Sequence, residues 1–207
     1  MILSIVINAV IVLWTSYTMY WYFRIHQPEK PLKRKLHIFR FFTYLSNDFS
    51  AIVSLMILIY EMMHLSSGAA ALPDVLMILR FMSTVSVVIT FLTVVFFLAP
   101  TIGIFLLYKE DNLYMHVVGP ALSVIEFLLV EKCLRFSSAQ IIFGMIPMLA
   151  YACLYLYKVV KTGEERGGWP DFYGFNRNGM WKISCTAMIA AALAVSAVLA
   201  LAHNALL

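Results

Sequence analysis

The sequence predicts an all-α integral membrane protein, a single domain over residues 1–207 built as a bundle of six transmembrane helices with both termini outside. Three observations lead there. Apolar residues make up 62% of the chain and charged residues only 13%, too few charges to cover a surface in water. A spanning helix needs roughly 20 mostly apolar residues, and six stretches qualify. The basic residues, finally, gather in alternate loops.

The first stretch, residues 2–23, has no basic segment before it and no small-residue cleavage site, as a signal peptide would. It closes on Tyr20, Trp21 and Tyr22, the aromatic pairing of a helix anchored at the interface, so it is expected to stay in the mature protein. The second, residues 41–62, opens with Phe-Phe-Thr-Tyr-Leu-Ser-Asn-Asp-Phe-Ser. The third, residues 74–98, is the least sharply bounded, since apolar character continues past Pro100 and Gly103 to Tyr108. Pro100 is expected to kink or stop it, because proline lacks an N–H and collides with the carbonyl four residues back. Residues 113–130, 139–160 and 181–202 complete the set. No internal repeat is evident, and only residues 163–179 are rich in turn formers.

Charge then sets the orientation. The first loop carries Arg24, Lys30, Lys33, Arg34, Lys35 and Arg40, the third Lys109, and the fifth Lys158, Lys161, Arg166, Arg177 and Lys182. The other side has only Lys132 and Arg135. The positive-inside rule puts loops one, three and five in the cytoplasm and the protein in the cell membrane. The net charge of +4 does not argue for nucleic acid, because the basic residues sit between long apolar runs; the partners expected are membrane lipids. Cys133, Cys153 and Cys185 are unevenly spaced and form no CxxC pair or disulfide framework. They read as small packing residues, and no cofactor is implied.

Ionisable groups inside a span are costly and usually have a partner or a job. Asp48, Arg80 and Glu126 are the clear cases. Arg80 lies about two turns in from the outer end of the third helix, and Glu126 about 15 Å along the fourth from His116 at ~1.5 Å per residue. Both fall in the outer half, where a structural ion pair and a polar cavity are the two readings. At the other end, Thr43 lies just inside the cytoplasmic interface, Asn47 is one turn deeper on the same face, and His116 opens the fourth helix from the same side. Acyl transfer needs a hydroxyl or thiol and a base that titrates near neutrality. Thr43 with His116 meets that, with Asn47 or free amides at the start of the fourth helix as oxyanion donors. The bland readings stand beside it: a threonine bonded to its own helix and a histidine reaching for water.

The segments around these residues follow an order. Phe-Phe-Thr-Tyr-Leu-Ser-Asn on the second helix is followed by Leu79-Arg80, then His116-Val-Val-Gly-Pro120 running to Glu126, then Trp169-Pro-Asp-Phe-Tyr-Gly-Phe175. This resembles the androgen-induced and androgen-dependent family of six-helix membrane proteins, and more closely its bacterial six-transmembrane relatives. Animal members are threonine hydrolases of fatty-acid esters of hydroxy fatty acids. The resemblance implies Thr43 as nucleophile and His116 as the second essential residue. Pro120 follows His116 by four positions, one fewer than the animal spacing. Asn47 would then help hold the oxyanion. Trp169 and Tyr173 would meet substrate from a loop that caps the pocket, although an interfacial anchor explains that loop equally well.

Two other functions compete. A small transporter or non-catalytic binding protein would use Asp48, Arg80 and Glu126 along a polar path; it would tolerate loss of Thr43 and not of Arg80 or Glu126. A zinc hydrolase needs three or four ligands at one depth. His26, His37, His64, His116 and His203 are scattered along the chain with no His-x-x-x-His pair, so no metal is expected.

Overall fold

A computed structural model describes residues 1–26, 28–65, 71–103, 105 and 112–207. The described residues are helical, with connecting turns and one extended stretch. Five helices are long and apolar enough to cross a membrane: α1 (Ile2–Ile25), α2 (Phe42–Met63), α3 (Asp74–Phe96), α5 (Ile141–Thr162) and α6 (Trp181–Leu206). They make this a multi-pass membrane protein. Between α3 and α5 lies α4 (Tyr114–Val130), apolar but shorter, about 25 Å at ~1.5 Å per residue against a hydrocarbon core of about 30 Å. Where six spans are expected, five helices of spanning length and one shorter apolar helix are found among the described residues. The physical reason is at its far end: Glu131 turns extended (φ −95°, ψ 92°) and stops the helix. Lys109 and the rest of residues 106–111 lie outside the described residues.

α1 and α2 each carry one buried stripe. On α1 it is Ser4, Ile7, Asn8, Ile11, Thr15 and Thr18, the three-and-four spacing of a single helical face. On α2 it is Phe42, Ser46, Asn47, Ser50, Val53, Ser54, Ile57 and Glu61. The opposite faces are Leu, Ile, Val, Met and Trp left exposed, as helices bathed in lipid require, since every backbone polar group is satisfied internally. The small hydroxyl residues on the buried stripes let the helices approach closely and hydrogen-bond across.

α3 is the axis of the bundle. It packs against α2, α4, α5 and α6, while α1 packs on α2 and touches α4. Its two sides differ. Toward α1, α2 and α4 it presents Arg80, Ser83, Thr84 and Thr90, buried among hydroxyls and amides; toward α5 and α6 it presents Phe81, Val85 and Ile89 in the apolar core. Gly144 of α5 is where that second side closes most tightly, because a Cβ there would strike the Ser196 hydroxyl and press on Val85 and Phe81.

Prolines shape two helices in the same way. A π turn at Val94–Leu98 ends two residues before Pro100, and a π turn at Tyr114–Val118 ends two residues before Pro120. In each case the ring would collide with a carbonyl four residues back (Phe96, His116), inside the π turn, and the widened turn moves that carbonyl aside. α3 therefore continues past Leu98 into one more turn, Ala99–Ile102, and ends at Gly103, whose φ of 111° suits glycine. Pro100 shifts the hydrogen-bond ladder without ending the helix.

At one end of the bundle the first turns of α1, the end of α4 and the last turns of α6 meet. Both ring nitrogens of buried His203 face carbonyl oxygens, Phe127 at 2.8 Å and Leu134 at 3.0 Å, and Lys132 donates to the Leu206 carbonyl. At the opposite end the segment before α2 meets the loop after α5.

Candidate functional site

The start of α2 has no side chain of its own to cap it. Phe41 is extended (φ −94°, ψ 130°) and offers no polar group, so the first free amide must find a partner elsewhere. It finds one 131 residues away: Phe42 N–H donates to the Tyr173 hydroxyl at 3.0 Å. The Tyr151 hydroxyl donates to the Arg40 carbonyl at 2.6 Å. The loop after α5 and α5 itself thus pin the start of α2 from both sides.

Asp171 folds that loop. Its Oδ1 accepts from the Tyr155 hydroxyl (2.8 Å) and from Phe175 N–H (2.9 Å), and its Oδ2 from Asn176 N–H (2.8 Å). Tyr173 N–H donates to the same Tyr155 oxygen at 3.1 Å. Burial raises the Tyr173 phenol above its ordinary value, so it stays a neutral hydroxyl. Trp169 sits beside this group with the Arg40 guanidinium 5.9 Å over its ring, and Phe172 packs on Phe41 at 4.7 Å. Tyr151 and Tyr155 carry no motif that singles them out, and Asp171 stands in the sequence only as one residue of the Trp169–Phe175 segment. Aromatics at positions 151 and 155, one turn apart on α5, were the available signal.

Two residues in from the cap, Thr43 is half-buried and lines a narrow, mostly apolar cavity of about 50 Å³ between α2, α3, α5, α6 and the loop. Thr90 and Thr93 of α3, Tyr151 and Tyr155 of α5, and Tyr173 and Phe175 of the loop share its wall. The volume suits a few waters or a short length of acyl chain. Of the two readings of the loop, the structure puts Tyr173 and Phe175 over the cavity, and Trp169 outside its wall.

His116 lies in the Pro120-induced π turn of α4, 7% exposed. Its Nδ1 is buried with no hydrogen-bond partner among the described residues. Asn47 ties this segment to Thr43: one amide nitrogen donates to the Thr43 carbonyl (2.8 Å) and to the Met115 carbonyl (3.1 Å). The close approach needs Gly119, where a Cβ would stand 3.1 Å from Asn47 Oδ1. Thr43 and His116 therefore belong to segments clasped at one depth. Their side chains, however, make no hydrogen bond to each other among those described, and His116 is not on the wall of the cavity that Thr43 lines. Both hydrogens of the Asn47 amide are spent on backbone carbonyls, so in this state Asn47 is a strut and holds no donor free for an oxyanion.

The second polar group, around Arg80 and Glu126, is separate. Arg80 and Glu126 form an ion pair, Nε to Oε2 at 2.7 Å, with neither side chain exposed. Asn8 donates to Glu126 Oε1 at 3.0 Å, and Arg80 Nη2 donates to Ser54 Oγ at 3.1 Å and to Asn8 Oδ1. Asp48 is only partly buried and is not part of this network. Two further carboxylates, Glu61 and Glu131, are buried near it at 6% and 8% exposure. They escaped the sequence reading because each sits at a helix end, where a carboxylate normally reaches water. No group of three or more His, Cys, Asp or Glu that could hold a metal ion exists among the described residues.

Comparison with family models, with curated proteins and with solved structures returns no match to this chain.

Proposed function

We propose that the chain is an intramembrane hydrolase of lipid esters, with Thr43 as nucleophile and His116 as base. The observation that carries the reading is Thr43 on the wall of a mostly apolar cavity at the start of a spanning helix, beneath a loop that brings the neutral phenol of Tyr173 to the same wall. Asn47, which clasps the backbones of residues 43 and 115, supports a shared depth for the pair. The likeness to the androgen-induced and androgen-dependent family favours the same two residues, and with them an ester of the kind formed by a fatty acid on a hydroxy fatty acid.

In this chemistry the Thr43 Oγ attacks the acyl carbonyl while His116 takes the hydroxyl proton. The ester C–O bond breaks, and His116 returns the proton to the leaving alcohol. Water, deprotonated by His116, then opens the acyl-threonine to free the acid, and His116 returns that proton to the departing Thr43 oxygen. Because the two side chains are not hydrogen-bonded at rest, the His116 ring has to turn toward Thr43 when substrate arrives, as active-site bonds commonly tighten on binding. We assign the protein to the cell membrane as six spans, α4 included, with termini outside and loops one, three and five in the cytoplasm. Substrate then comes from the inner leaflet. The transporter reading is less favoured: a path needs groups that can exchange partners, and Arg80 and Glu126 are already bonded to each other, Asn8 and Ser54.

The test is hydrolysis of a long-chain fluorogenic ester by the purified chain in nanodiscs. Thr43→Ala and His116→Ala should each lower the rate by about 10²-fold or more, the usual worth of a nucleophile or general base. Full activity in Thr43→Ala would end the proposal.

A further inference from the structure

The cavity beside Thr43 is bounded in part by large aromatic side chains of α2 and α5. Phe42 and Tyr151, ring centroids 5.1 Å apart and tilted by 42°, stand on its wall. The same two residues form the inner wall of a second hollow, a groove on the flank of the bundle between α2 and α5, which Leu45, Phe49, Pro147 and Leu154 also line. A hydrogen bond completes the partition: Ser46 Oγ, in the groove, meets Thr90 Oγ1, in the cavity, at 2.8 Å.

We propose that this groove is the lateral port by which one lipid acyl chain passes from the bilayer to Thr43, with Phe42 and Tyr151 as its gate; the purpose of the port rests on the hydrolase reading. The occupant follows from the setting. The groove runs along two helices apolar enough to span a membrane, its lining is almost wholly apolar, and hydrocarbon is what surrounds such a face. The two leaves of the gate are unequal. Tyr151 is held by its hydroxyl on the Arg40 carbonyl. The Phe42 ring carries no polar anchor, and its backbone is fixed independently through the amide held by Tyr173. Phe42 can therefore swing about χ1 without disturbing the start of α2 or the position of Thr43. An opening between two rings admits a single unbranched chain and excludes a head group, so the port selects esters that present one free acyl arm.

The test uses the full chain carrying Thr43→Ala, so that nothing turns over, in phosphatidylcholine nanodiscs with a long-chain methyl ester bearing a mid-chain diazirine. After illumination, adducts are mapped by peptide mass. Adducts are expected in the groove, at Leu45, Phe49 or Leu154, and in the cavity, at Met148, Leu156 or Met188. Ala150 lines the groove and is exposed, so Ala150→Trp plugs it from the lipid side; cavity adducts should fall at least tenfold, while Ile142→Trp, exposed two turns away, changes nothing. Phe42→Ala should raise cavity adducts several-fold. Cavity labelling indifferent to Ala150→Trp, or absent both with Phe42 in place and in Phe42→Ala, overturns the port. If labelling obeys the gate but the unmodified protein hydrolyses no ester, the hydrolase reading falls and the port stands; hydrolysis with labelling that ignores the gate sinks the port alone.

Discussion

Replacing Glu126 with leucine removes the carboxylate that pairs with Arg80, and the structure fixes what is left behind. Arg80 is fully buried, and it keeps its hydrogen bonds to Asn8 and Ser54, so the loss is the charge partner itself. Asn8 keeps the Ser4 carbonyl and hydroxyl for its amide hydrogens, at 3.0 and 3.1 Å, and adds little to the cost. A unit charge pair near 4 Å is worth about 4 kcal/mol at an effective dielectric of 20, and breaking a buried pair from one side typically costs about 3–5 kcal/mol. Glu126→Leu should therefore destabilise the bundle by roughly 3–5 kcal/mol. The double variant Arg80→Met with Glu126→Leu removes both charges and should recover most of that, because apolar residues of similar volume often replace a buried pair at little cost. The assay is equilibrium unfolding in mixed micelles followed by tryptophan fluorescence, run as a double-mutant cycle. A single-variant cost below about 1 kcal/mol, or a double variant worse than the two singles added, would refute the idea that this pair is structural.

Other consequences follow from single contacts. Gly144→Ala should lower the thermal midpoint in detergent by separating α3, α5 and α6, since its methyl meets Ser196, Val85 and Phe81; an unchanged midpoint would mean the helices are not packed that closely. Asp171→Ala deletes the acceptor of three hydrogen bonds and should make residues 163–180 sensitive to protease while the spans stay intact, with Tyr173→Phe, which loses one bond worth about 1 kcal/mol, intermediate. Burial pushes the Cys133 thiol up, so it is mostly protonated near neutrality and should react with maleimides faster as pH rises toward 9. In intact cells at pH 8.5 a membrane-impermeant maleimide should modify Cys133 and spare Cys185; the reverse would invert the proposed orientation.

The bundle was legible in the sequence because bilayer thickness and backbone satisfaction leave few options: residues 2–23, 41–62 and 74–98 each give a helix, as do 139–160 and 181–202. Residues 113–130 are harder to read, since the extended turn at Glu131 and the π turn at Tyr114–Val118 before Pro120 are not registered by apolar content. The facing of Arg80 and Glu126 was legible as depth, yet Asn8 and Ser54, which complete that network, are ordinary polar residues until the helices are placed side by side. The same holds for the site. Thr43 and Asn47 share a helical face by spacing alone, and Asn47 reaches Met115 only because Gly119 allows α4 so near. That Tyr173 would cap a helix 131 positions away, or that Phe42 and Tyr151 would divide a groove from a cavity, is long-range information that no local pattern carries.

The proposed hydrolysis requires Thr43 to act as a nucleophile, and a fluorophosphonate reports that directly. After exposure of the purified protein in nanodiscs, the peptide spanning residues 41–65 should carry one phosphonate, located by fragmentation on Thr43, and His116→Ala should abolish it. A phosphonate found on Ser46, on Ser50 or on Tyr173 in place of Thr43, or no adduct in a protein that still hydrolyses esters, would contradict the account.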